Sequence, residues 1–541
     1  MKETPTSASK GESFLLDRRR RLSRSLLWKL QRKYFERQGI EVWRQGAVPQ
    51  YITSNPFTAN AYARVVFGFL RDCHAAASTD DNREFPPLDF SQPVYVVELG
   101  AGSGRLACHF LKVFTGILSR SALNAVPVCY VMTDFAQSTV NYWREHPSLH
   151  PFVEAGQLDF ALFDAEQPGD LSLLQSGNTL SSETVKNPLV VIANYFFDSI
   201  PQDSFTIDSG QLYENLVTLS SPQFEPNPND PELLGRIEIS YALNPVTSDY
   251  YDEPDLNRIL RSYQERLTDT TILFPITALR CIHYFIELSG ERLLLLSGDK
   301  GHVRENSLLN LEVPWMNIHG SISMLVNYHA LAQYVLNRGD QVLQTSHQHT
   351  KLNVSAFLLG KHPSDYVETC QAFHEAIGTG GPDDFFVLKK GIENHYGDLT
   401  LEQLLAWLRF SGWDADILLD SVPALLDKAK SAPDSLKQEL YCAIQQVWEM
   451  YYPIGEKRDL AFHLGTLLQV MAFYTQALDY YDHSLRSYGP NLSTFYNMGS
   501  CHYNLGQLEA ALGCINQALE VDPAFEDARM MRVKIQSEIG I

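Results

Sequence analysis

The sharpest chemical signal in this chain is Val96-Val97-Glu98-Leu99-Gly100-Ala101-Gly102-Ser103-Gly104-Arg105, an apolar strand running into an acid and three alternating glycines. Glycine lets a backbone turn tightly and approach a ligand with no Cβ in the way. A dinucleotide fingerprint would read G-x-G-x-x-G. Here the third glycine, Gly104, comes one position early and Arg105 stands in its place. With no close diphosphate to cradle, an adenosine ligand carrying an amino acid fits better; a bare tight turn is the plainer alternative. Glu98, Gly100, Ala101, Gly102 and Gly104 are the candidates from this loop.

Two further acids stand at strand ends. Asp134 follows about thirty residues after the glycines, and a carboxylate there can accept both ribose hydroxyl protons. Asp164 can accept from an adenine amino group, with the Ala165 N–H facing the ring and Phe135 packing on its face. The competing role for either aspartate is a helix N-cap. Acidic-x-G-x-G-x-G resembles the first motif of class I S-adenosylmethionine-dependent methyltransferases, which makes S-adenosyl-L-methionine the expected cofactor. A fourth strand ends in Asn194-Tyr195-Phe196-Phe197-Asp198. Asn194 can orient a nucleophilic nitrogen, Tyr195 and its aromatic neighbours can keep water out, and Asp198 can take a proton or steady charge. Alternatively, the phenylalanines are core and Asp198 caps a helix.

Such residues need a sheet to hold them. Short apolar runs at 94–99, 128–133, 160–163, 189–193 and 292–297 read as strands buried on both faces, with helical patterns such as 105–114 and 136–145 between them. The expected fold class is α/β, a doubly wound Rossmann-like sheet. Runs at 341–345 and 354–359 can close its edge as an antiparallel pair. An insertion at about 199–290 is expected to cap the site, opening with a hairpin about Asp208-Ser209-Gly210 and continuing through helices at 255–267 and 275–288.

Beyond Gly360 the pattern becomes helical, at 401–409 and 415–430. Phe495, Met498, Gly499 and His502, then Ala511, Ile515, Ala518 and Pro523, fit the tetratricopeptide pattern, and Leu464, Gly465, Leu468, Ala477 and Tyr481 stand about 34 residues earlier. Residues 524–538 would cap the repeats, and 436–452 read as a degenerate earlier one. The expected organisation is a basic helical segment at 1–50, a methyltransferase domain at 51–361, a helical connector at 362–435 and a repeat domain at 436–541.

The chain has 541 residues and a net charge of −21, which disfavours nucleic acid and anionic membrane as partners. No apolar run approaches the roughly 18 residues of a membrane span. Charge is concentrated at the start: Arg18 to Arg21, Arg24, Lys29, Arg32, Lys33 and Arg37 lie on an expected amphipathic helix from Leu15 to Glu41. That helix reads best as docked on the acidic remainder of the chain, with an acidic partner, a membrane surface or mitochondrial targeting as alternatives. Eight cysteines without C-x-x-C spacing suit a reducing, cytoplasmic setting. His347 and His349 lack a third ligand nearby in sequence and read as surface histidines, so no metal is expected.

Taken in order, the motifs resemble the MidA-like methyltransferases, a family that includes a mitochondrial complex I assembly arginine methyltransferase. Residues 193–201 resemble its A-N-E-F-F-D-A-L-P, Tyr51-Ile52-Thr53-Ser54-Asn55-Pro56 its segment before the first strand, and 292–300 its G-x-L-L-L-I-D-Y-G. Residues 324–332 resemble its T-A-H-V-D-F-x-A-L-A, and the likeness spans 45–360. The family glutamate in N-E-F-F-D is Tyr195 here; its I-D-Y-G aspartate is Gly298 or Asp299; its A-H-V-D acids and bases become Leu325 and Asn327. The resemblance implies methylation of a protein nitrogen, arginine in the family's case, with the repeats recruiting a protein substrate or partner. A second reading keeps the fold as a scaffold that works through its repeats.

Overall fold

Strands buried on both faces read as near-continuous apolar runs, and Val94–Leu99, with Glu98 its one acid, is buried at every position. It lies mid-sheet. The computed structural model describes residues 13–75, 86–314, 316–318, 321–349, 351–360 and 365–540. They fall into two units, Met1–Phe386 and Val387–Ile541. In the first, a seven-stranded sheet runs Gln341–Leu343, Asn353–Leu359, Leu293–Asp299, Leu189–Asn194, Val94–Leu99, Val128–Asp134, Leu158–Leu162. The last five strands are parallel, and the first two close the edge antiparallel.

Chain order reverses between Val94–Leu99 and its neighbour Leu189–Asn194, which creates a crevice at their carboxyl ends. The expected α/β doubly wound sheet is present. Arg105–Leu118 follows the glycine loop as a helix, and Ile276–Leu288 buries Cys281, Ile282 and Phe285 in the core that holds Val191, Leu293 and Leu295.

The inserted segment builds a second sheet. Asp203–Asp208 and Gln211–Ser221 form the expected hairpin, with Ser209 at φ +50° and Gly210 at φ +80°, the two positive angles of a tight two-residue turn. Thr270–Phe274 pairs with its first strand and Glu238–Pro245 with its second.

The basic amino-terminal run departs from the helix expected from Leu15. Phe14–Arg21 is a strand paired with Gln211–Ser221, and the helix begins only at Leu26. Asp17 makes the change: one carboxylate oxygen accepts from the Arg18 N–H and Arg20 Nε, the other from the Leu26 N–H. Arg21 lies 4.4 Å over the Tyr250 ring and 3.4 Å from Glu214, and Arg37 reaches Asp230 and Glu232. The segment is docked on the acidic remainder of its own unit.

The second unit is helical. Leu460–Val470 with Tyr474–Tyr488, and Leu492–Asn504 with Leu508–Val521, form successive antiparallel pairs, followed by Glu526–Ile539. A Cβ at Gly465 would lie 2.8 Å from Tyr481 Cε1, and one at Gly499 would lie 2.7 Å from Ile515 Cδ1, so each pair closes only over glycine. No helix among the described residues is long and apolar enough to cross a membrane.

Candidate active site

The glycine loop turns because all three glycines are left-handed: φ is +60° at Gly100, +54° at Gly102 and +83° at Gly104. A Cβ at Gly100 would sit 2.9 Å from Phe196 Cδ2, and one at Gly102 3.1 Å from Trp43. The loop is braced from behind: the Ala101 N–H donates to Thr133 O, and Trp143 Nε1 donates to Gly102 O. Glu98 is buried and accepts a 2.9 Å hydrogen bond from the Tyr130 hydroxyl; burial pushes its carboxyl up to about 8.

This loop forms one wall of a cavity of about 590 Å³ at the carboxyl ends of the strands. Glu98, Gly100, Ala101, Gly102, Asp134, Phe135, Asp164 and Ala165, together with Asn194, Tyr195 and Asp198, all border it. Gly104 does not; it caps the following helix, its N–H bonded to Ala101 O. Asp134 is buried, accepts from the Ala136 N–H at 2.8 Å, and is pushed up to about 7 by burial. It therefore supports the local turn and faces the cavity as well.

Asp164 and Phe135 depart from a bare adenine pocket. Arg32 Nη1 lies 2.9 Å from Asp164 Oδ1, and its guanidinium sits 4.6 Å over the Phe135 ring. Phe35 meets Phe135 edge-on and stacks on Trp43. The amino-terminal helix thus supplies a wall of the cavity. A planar ring that stacks on this face of Phe135 takes the place of that guanidinium. Arg32, Phe35 and Trp43 carry no local motif, because the residues that Arg32 and Phe35 meet across the cavity, Asp164 and Phe135, lie far away in sequence; Arg32 alone belongs to the amino-terminal basic run.

On the neighbouring strand end, Tyr195 adopts φ +47°, unusual for a non-glycine residue, and its N–H donates to Gly298 O at 2.9 Å. Asn194 Oδ1 accepts from the Tyr62 hydroxyl at 2.8 Å. A Cβ at Gly298 would fall 2.6 Å from that amide oxygen, so the site needs glycine there, and the acid is the next residue, Asp299. Asp299 is fully buried and accepts from the N–H groups of Phe197 and Asp198 at 3.1 and 3.2 Å. Burial pushes Asp198 up to about 7, opposed by Asp299 and Lys300. Burial, and then the charge of Asp198, hold Asp299 well above the carboxylate range. The two carboxyls therefore titrate as a coupled pair, with Asp299 the last to lose its proton. Asn327, where the family aspartate would stand, caps a helix through the Ala330 N–H.

Raised carboxyls make stability depend on pH. Between about 4, the ordinary carboxylate value, and about 8, the folded chain keeps protons that the unfolded chain has released. Stability is then greatest at the acid end of this window and is lost as pH rises through it. The melting temperature of the ligand-free chain is expected to fall between about pH 5 and pH 8, and Glu98→Gln to flatten the slope. A melting series with the same slope in both chains would contradict this origin.

Residues 82–282 match the family model described as "Putative S-adenosyl-L-methionine-dependent methyltransferase", and 493–525 match the tetratricopeptide repeat. No curated protein matches the chain. Among solved structures, one Burkholderia thailandensis protein crystallised with S-adenosyl-homocysteine is 13% identical, covering 58% of this chain and 80% of that chain at a TM-score of 0.36. An O-methyltransferase family protein from the same organism is 10% identical, covering 60% and 71% at 0.24. YrrB, a tetratricopeptide protein with a peptide-binding site, is 18% identical, covering 31% and 82% at 0.24.

Proposed function

We propose, from the premise that residues 82–282 form an S-adenosyl-L-methionine-dependent methyltransferase domain and 493–525 a tetratricopeptide repeat, that this chain methylates a protein side-chain nitrogen, arginine by resemblance. The observation that carries the reading is that one cavity is bordered by Glu98, Asp134 and Asp164 about a glycine loop and also by Asp198, which is backed by the buried Asp299. When bound, S-adenosylmethionine supplies a methyl group on a cationic sulfur, which leaves as a neutral thioether. Buried carboxyls without a full complement of cations suit such a ligand and a cationic acceptor.

Glu98, Gly100 and Gly102 would hold the amino-acid portion, Asp134 the ribose, and Asp164 with Phe135 the base. Asn194 is fixed by Tyr62 and would orient the acceptor nitrogen. Tyr195 and Phe196 exclude water, and Asp198 receives the acceptor's proton while Asp299 steadies the turn that carries it. The repeats would recruit the protein substrate, in a cytoplasmic setting. Labelled methyl incorporation, with the purified chain added to a lysate of cells lacking it, tests the proposal. A labelled protein band is expected; ligand binding without any labelled band would favour the scaffold.

A further inference from the structure

Away from the cavity, the loop after strand Gln341–Leu343 brings His347 and His349 against Asp383, near the start of helix Pro382–Ile392. The third ligand missing from the local sequence comes from over thirty residues downstream. One potential ligand atom from each of the three side chains lies within 4.8 Å of the other two. The imidazole centroids are 4.9 Å apart. His347 Nε2 and His349 Nδ1 are both buried and make no hydrogen bond. The other ring nitrogen of His349 lies 2.5 Å from Thr345 Oγ1. A proton on that nitrogen, donated to the hydroxyl, leaves the Nδ1 lone pair facing inward, the usual outer support of a metal-binding imidazole. Asp383 is buried, and its Oδ1 accepts from the Lys351 and Leu352 N–H groups at 2.7 and 2.8 Å, which fixes the carboxylate. Asp384 Oδ2 stands 3.9 Å from His347 Nε2.

We propose that His347, His349 and Asp383 form a binding site for one divalent first-row transition cation, with Asp384 or water completing its coordination. Two imidazoles and one carboxylate suit zinc, cobalt or iron, whereas calcium and magnesium prefer oxygen alone. Bonds of about 2.0–2.1 Å place neighbouring tetrahedral ligands about 3.4 Å apart. The loop therefore draws in by about an ångström on binding. The ion ties His347 and His349 to the helix start, whose Phe385 stacks on Phe57 with centroids 4.4 Å apart. Its role is structural, and it stands independently of the methyl-transfer reading.

The test uses the full chain, stripped with chelator and titrated with Co²⁺ while its visible spectrum and metal content are followed. One equivalent is expected, with d–d bands and no thiolate charge-transfer band, although the chain carries eight cysteines. Outer-support changes alone cost about 10–100-fold in metal affinity, so losing a ligand in His349→Ala or Asp383→Asn should exceed about 100-fold. His347→Gln, in a partly exposed loop position, guards against misfolding: it should melt like the metal-free parent but gain no melting temperature from added Zn²⁺. Failure of the parent chain to take up Co²⁺, a thiolate band, or unchanged binding in His347→Gln would each overturn the proposal.

Discussion

Asp198→Asn is expected to slow methyl incorporation by about 100- to 10,000-fold, the usual contribution of a positioned proton acceptor, while S-adenosylhomocysteine binding stays unchanged. The amide matches the carboxyl in shape and can donate to the Asp299 carboxyl beside it. The fold of the turn is thereby kept and only the base is removed. The wild-type rate should rise with pH through about 7, as Asp198 loses its proton while Asp299 keeps its own, which frees Asp198 to accept the proton of the acceptor. That limb of the profile should vanish in the variant. Equal rates, or an unchanged pH profile in the variant, would remove Asp198 from the chemistry and leave it as a turn residue.

Asp134→Ala should weaken S-adenosylhomocysteine binding by about 100-fold or more. Each hydrogen bond to a charged group is worth about 1.5–3 kcal/mol, and about 1.4 kcal/mol corresponds to tenfold in affinity. The side chain also holds the Ala136 N–H, so alanine should cost about 1 kcal/mol of stability as well. Asp134→Asn separates the two effects, because its amide oxygen keeps the turn bond while the charge is gone. Calorimetry on both variants, each checked for folding, gives the comparison. An unaltered dissociation constant in folded Asp134→Ala would leave Asp134 as nothing more than a turn support.

Much of the site was legible because the relevant physics is local. A strand buried on both faces is apolar along most of its length, and Val94–Leu99, Val128–Asp134 and Leu189–Asn194 stand out for that reason, with their polar residues near the carboxyl ends. The glycine loop and the Asp208-Ser209-Gly210 turn announce their left-handed angles through residue type. What escaped was settled by distant partners. Phe14–Arg21 has the composition of a helix face, and pairing with Gln211–Ser221 overrides it. Arg32 finds Asp164 only once the chain has folded. The choice between Gly298 and Asp299 as the family acid depended on the space beside Asn194, which no sequence pattern records. Asp383 likewise meets the two histidines only in three dimensions.

One wall of the cavity comes from Trp28, Gln31, Arg32, Phe35 and Trp43, all upstream of the segment 82–282 that carries the family signature. A shortened product beginning after Trp43, whether from internal initiation or proteolysis, would keep every letter of that signature and lose that wall of the cavity. Its slot would lie open to bulk water, and no comparison confined to the signature would distinguish it from the intact protein. The cavity of this chain thus takes its lining from both the amino-terminal arm and the glycine loop, and a gene survey that counts only the second records only part of that enclosure.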